Sequence, residues 1–225
     1  MSLSVAYTAL LAGIIVWAVL VTKLRVKPWE RQALAAEGAG FDGIQPKRIG
    51  LWIFLAVVTS LFCLFVSAYY MRMGAHGHVD SDWTAIRDPT ILWLNTGLLI
   101  VSSIAMQSAR AAVIRGQVEQ TRWSLFSAGL LTGAFLIGQF FAWRQLRFSE
   151  SFTPGNPAVA FFYVLTAVHA LHLLGGLVVW SKTMARALQK EVELIDVRLS
   201  VELTSVYWHY LLLVWLGLFA VLLST

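Results

Sequence analysis

Three imidazoles stand in the middle of stretches apolar enough to cross a bilayer: His169 and His172 within residues 158–181, and His209 within 203–224. His169 and His172 are three apart and so share one helical face, which Gly176 extends. With His209 on the next run they could form a three-imidazole site for zinc or copper, while a haem would need His169 or His172 facing His209 from a separate helix. The same residues also serve as neutral imidazoles hydrogen-bonding across helices to Ser, Thr, Tyr or a carbonyl, and no partner that would orient a metal-bound ring is identifiable. On the residues alone, the histidines read as structural. Elsewhere, His76, His78, Asp80 and Asp82 fall in a polar, glycine-containing stretch that reads as a solvated loop. Cys63, the only cysteine, excludes an intramolecular disulfide and is expected as a small, buried packing residue. Glu202 opens the last apolar run, where an anion at a helix N-terminus gains about 0.3–1 kcal/mol.

The elements that must position these groups follow from composition. Of the 225 residues 58% are hydrophobic and 13% charged, with a mean hydropathy of +0.71, so the chain reads as an all-α integral membrane protein. Charge-poor windows near 3–22, 49–71, 90–109, 124–143, 158–181 and 203–224 each have the length of a spanning helix. Six transmembrane helices in one bundle are expected, as a single membrane domain over 1–225. The first window carries no basic residue ahead of its apolar run, so it reads as a retained span, followed by a cytoplasmic loop over 23–47. Thirteen of the 17 basic residues fall in the first, third and fifth loops, which puts both termini on the outer face of a bacterial-type plasma membrane. Anionic lipid accounts for the net charge of +5 without any nucleic acid.

Small residues supply surfaces for helix association: Ala56, Ser60, Cys63 and Ser67 along one stripe, Gly129 with Gly133, and Ala134 with Gly138. The spans hold no ionised side chain near mid-membrane, with Arg72, Arg110, Arg144 and Arg147 at span ends where they can snorkel. That pattern argues against a proton pump, an ion channel or a carrier of charged solutes. It leaves room for a carrier of a neutral solute.

From residue 46 onward the order of segments is similar to a known family. Residues 47–56 (KRIGLWIFLA), which include Trp52, resemble the opening of the third span of subunit III of the haem-copper terminal oxidases, the cytochrome c oxidase family. Residues 94–103 (LNTGLLIVSS), which include Asn95, resemble the fourth, and 138–143 (GQFFAW) the end of the fifth. The densest likeness lies in Phe161, Phe162 and Tyr163 through His169, His172 and Gly175, and from Glu202 through Tyr207, Trp208 and His209 to Trp215. The family has seven spans, so six here correspond to its pattern without the first. Acids common in the family fall at Val58, Ala142 and Leu212 in this chain, and whatever those carboxylates do elsewhere does not carry over.

The resemblance implies a non-catalytic accessory subunit that binds no redox cofactor itself. Haem and copper are expected in partner subunits I and II, in a hetero-oligomeric complex that reduces O2 to water while moving protons in aerobic electron transport. It also implies bound phospholipids, stabilisation of the core and support of proton uptake. His169, His172, Glu202, Trp208, His209, Trp52 and Asn95 are then candidates for structural, lipid or partner contacts rather than catalytic or metal-binding residues. The alternative from another class is a b-type cytochrome or metal-binding membrane oxidoreductase that uses His169, His172 and His209 directly.

Overall fold

Helix ends in this chain are set by caps and turns that hydropathy does not register. In the computed structural model, which describes residues 46–74, 90–148, 156–189 and 194–224, five helices are long and apolar enough to span a membrane. They are α1 (Pro46–Gly74), α2 (Thr90–Ile114), α3 (Val118–Arg147), α4 (Pro157–Leu188) and α5 (Leu194–Leu223). The expected first span and most of the 23–47 loop lie outside the described residues, as does the His76–Asp82 cluster.

α4 begins where the Asn156 side chain accepts from the Ala158 backbone N–H at 3.0 Å and Pro157 supplies a pre-set φ, so the helix starts at a defined residue. α2 ends in a Schellman turn: the Gln117 N–H reaches the Ala112 carbonyl at 3.0 Å and the Gly116 N–H that of Val113 at 3.3 Å. Gly116 has φ +74°, a backbone state that disfavours any side chain, and it turns the chain directly into α3. All four later helices outrun their hydrophobic windows. α5 starts nine residues ahead of the expected 203, which places Glu202 in its third turn. The helix dipole acts only within the first turn, so it is not what holds Glu202. An ion pair with Arg198 at 3.0 Å is the contact made there instead.

α1 belongs to one compact unit and α2–α5 to a second. On α1 the buried positions are Leu55, Val58, Phe62 and Tyr69, a near-heptad stripe of large side chains. Cys63 is exposed and Ser60 with it, contrary to the expected small-residue packing stripe. Large side chains remove more surface on burial, so area rather than small size marks the buried positions of α1.

The other four helices close into a ring, α2 against α3 and α5, α4 against α5 and α3. Met106, Ala109, Val113, Leu125, Ala128, Val201 and Trp208 form one continuous core cluster in it. Large apolar side chains such as Trp93, Trp123, Phe140 and Leu213 stand exposed around the outside, as expected of helices solvated by lipid or by other spans.

Candidate functional site

The interior of the ring is fastened by indoles. Trp208 and Trp215, seven apart on α5, are fully buried, and each donates its Nε1–H to a hydroxyl of α2: Trp208 to Ser102 at 2.9 Å and Trp215 to Thr96 at 3.0 Å. The Ser102 hydroxyl lies 2.8 Å from the Ala128 carbonyl and 2.8 Å from the Thr132 hydroxyl, both on α3. One serine therefore ties three helices. In an apolar interior an indole N–H without an acceptor is costly, so these pairs fix the register of α5 on α2.

On the opposite side the contacts run through α4. Trp180 donates to the Leu125 carbonyl at 2.8 Å across a site where α3 has Gly129, and a Cβ at that position would collide with the indole ring. Trp143 donates to Thr166 at 2.9 Å, and Tyr163 returns a bond to the Trp143 carbonyl at 2.9 Å. Tyr207 of α5 donates to the His172 carbonyl at 2.9 Å, its ring lying against Gly176, where a Cβ would stand 2.9 Å away. The expected pairing of Gly129 with Gly133 is only half used, because Gly133 faces open space. Gly138 serves separately, beneath the Asn95 side chain of α2.

The three span histidines go to different neighbours. His209 turns to α2: Nδ1 meets the Ser103 hydroxyl, and Nε2 meets the Gln107 Oε1 at 3.1 Å. A carbonyl oxygen only accepts, so with this amide placement the ring carries its proton on Nε2 and takes the serine hydroxyl proton at Nδ1. His172 lies 2.7 Å through Nδ1 from the Val168 carbonyl of its own helix, which places its proton on Nδ1. His169 is wholly buried, its ring centroid 5.2 Å from Trp215 and 6.1 Å from Phe135, edge-on to the latter. The arrangement sets these rings into helix packing and does not gather them around a common centre.

Trp208 and Asn95 are buried in the ring, Glu202 lies at its margin, and Trp52 on α1 is 47% exposed. Asn95 pairs with Gln139 of α3, amide nitrogen to amide oxygen at 3.4 Å, and both are buried. Asn95 Oδ1 and Gln139 Nε2 have no hydrogen-bond partner among the described residues, which leaves one acceptor and one donor inside the α2–α3 contact. Sequence reasoning missed Ser102, Ser103, Thr132, Gln139 and Trp180 as bundle fasteners. Their one available signal was indole and hydroxyl residues on apolar runs, which does not say which hydroxyl meets which indole. Val58 and Ala142, where the resembled family has acids, are each 3% exposed, so apolar residues there avoid a buried carboxylate.

Comparison with known proteins accords with this architecture. The family model described as cytochrome c oxidase subunit III matches residues 8–224. A probable cytochrome c oxidase subunit 3 of Mycobacterium bovis is 31% identical over 173 residues, covering 73% of this chain and 82% of that protein. Cytochrome c oxidase subunit 3 of Bacillus subtilis is 28% identical over 78% of this chain and 84% of its own length. That of Synechocystis is 26% identical over 88% of each. A match spanning nearly the whole chain, joined to a bundle of helices long and apolar enough to span a membrane, places this protein in the cytochrome c oxidase subunit III family.

Proposed function

We propose that this chain is the accessory third subunit of a bacterial respiratory terminal oxidase and does no redox chemistry of its own. Its work is mechanical: it offers a rigid surface of helices to the subunits that carry haem and copper, and it holds phospholipid beside them. The family match supports the oxidase membership, and the names borne by the relatives support assembly with other oxidase subunits in the plasma membrane. The observation that carries the scaffold reading is the use of His209 and Trp208 as fasteners, bonded to Ser103, Gln107 and Ser102 of α2. Side chains committed to helix–helix bonds in the resting bundle are poorly placed to serve as ligands or proton carriers. Support of proton uptake is then indirect, through the ordering of the catalytic subunit's surface. Both termini facing outward, from the distribution of basic residues, would set the α2–α3 turn and the start of α5 on the cytoplasmic side.

The test is to extract the tagged chain from its host membrane in mild detergent, identify what comes with it and record visible spectra. Haem-bearing companions should co-purify, and the chain stripped of them should show no Soret band. A Soret band that persists in the isolated chain and disappears in His209→Ala would overturn the reading in favour of a cytochrome.

A further inference from the structure

The outer edge of the α2–α5 seam carries a cation that the fastening of the bundle leaves unanswered. Arg110 stands four residues before the end of α2, so its Cα is about 6 Å inside the helix end. Among the described residues it makes no ion pair, and its Nε is buried without a hydrogen-bond partner. The bonds Ser102–Trp208, Ser103–His209 and Thr96–Trp215 fix the antiparallel register and bring Glu202 level with Arg110. Glu202 nevertheless pairs with Arg198, at 3.0 Å. Gln107, exposed and one turn deeper, turns its oxygen to His209 and keeps its amide nitrogen as a donor.

We propose that this edge of the seam receives a membrane-spanning helix of a companion subunit, whose Asp or Glu side chain pairs with Arg110 and accepts from Gln107. The inference rests on the accessory-subunit reading and adds to it the face on which a companion sits. Beyond Gln107 both rims of the seam are apolar and open, with Ile104 and Ile100 on α2 and Leu213 and Leu216 on α5 between 40% and 68% exposed. In this register Leu216 lies level with Asn95, so the strip that starts at Arg110 runs about 22 Å, most of the thickness of the hydrocarbon core. A spanning helix laid along it covers the apolar rims and brings a carboxylate to a fixed depth. Arg110 sets the sign of that partner, because a guanidinium one turn inside a membrane helix, with its Nε already out of reach of solvent, is met by a paired anion. A head-group phosphate belongs at the helix ends, level with Arg115 and the α2–α3 turn, about 7 Å beyond Arg110.

The experiment uses the complex purified with this chain, with a diazirine amino acid in place of Ile104 and, separately, of Leu130, which is as exposed on α3. After irradiation the cross-linked peptides are identified by mass spectrometry. Ile104 should join a membrane span of a companion subunit that holds Asp or Glu within about three turns of the cross-link, and Leu130 should not join that span. Arg110→Gln should retain that companion roughly tenfold less through detergent washing, while Arg110→Lys keeps most of it. Arg110→Glu should lose the companion, and changing the companion's acid to arginine in the same complex should restore it. If Arg110→Gln does not assemble, the cross-link and the charge exchange serve as the test. Cross-linking of Ile104 to lipid alone, to a second copy of this chain or to a span without an acid overturns the proposal, as does full retention in Arg110→Gln. Haem-bearing companions that join Leu130 and not Ile104 overturn the docking face and leave the accessory reading standing. A parent chain that brings no haem-bearing companion overturns both.

Discussion

The α2–α5 and α3–α4 contacts both use indole hydrogen bonds, but only the second also depends on a glycine. Between α2 and α5 both sides contribute chemistry, with the indoles of Trp208 and Trp215 entering the hydroxyls of Ser102 and Thr96. Between α3 and α4 a central contribution is a missing side chain: Trp180 reaches the Leu125 carbonyl because Gly129 leaves room for its ring. The first contact is specified by matched polar partners and is sensitive to the loss of either. The second has polar bonds too, from Trp143 to Thr166 and from Tyr163 to the Trp143 carbonyl, but at Gly129 it is specified by volume and is sensitive to anything added.

The largest effect expected from that contrast is at Gly129. Gly129→Val should destabilise the bundle by about 3 kcal/mol, near the upper end for overpacking, because the ring it meets is itself held by a hydrogen bond. Gly133→Ala, four residues on and facing open space, should leave stability unchanged or slightly raised. Thermal retention of the detergent-solubilised protein, followed by size-exclusion chromatography, compares the two. Equal losses would show that volume is not what specifies α3 against α4.

Next in size is the seam itself. Trp208→Phe and Ser102→Ala should each cost about 1–2 kcal/mol, with a coupling of roughly 0.6–1.7 kcal/mol in a double-mutant cycle, the range of hydrogen bonds between membrane helices. Additive losses would mean that the bond is not a unit of stability. His209→Ala removes the partner of both Ser103 and Gln107 and should weaken assembly by about 0.6–2 kcal/mol without altering the metal content of the assembled complex. A complex assembled at full occupancy but short of a metal would contradict it. The smallest change is Glu202→Gln. Its partner Arg198 has a side chain 51% exposed, so the pair contributes at most about 0.5 kcal/mol, readable as a shift in the same melting assay.

The helices were legible because hydropathy over about 20 residues reports lipid exposure directly, and the windows from 49–71 to 203–224 each fall on a helix of the structure, the last overrunning its end by one residue. Their true lengths were not, since Asn156, Gly116 and the early turns of α5 act through backbone geometry outside the apolar window. Glu202 was misjudged for that reason: its neighbour along the helix became a cation rather than a helix end. The packing faces were partly legible. Glycine and small residues announce that helices come close, but the sequence does not say which glycine receives a ring, so Gly129 and Gly133 looked alike and Cys63 was placed inside. The histidines were read as structural from their residue types alone, and the bonds seen along α2 and α5 link residues about a hundred positions apart, as Ser102 to Trp208 and Ser103 to His209 do. No local pattern encodes such pairs.

The left-handed glycine between α2 and α3 has a consequence for how the bundle is made. With only residues 115–117 joining them, the two helices form a hairpin too tight to be parted on entry into the membrane. The Ser102 and Thr132 hydroxyls can therefore find each other, and the Ala128 carbonyl, before any later span arrives. α5, synthesised after them, then docks its indole onto an acceptor already in place, so replacing Gly116 with a β-branched residue should slow insertion and maturation more than it loosens the finished protein.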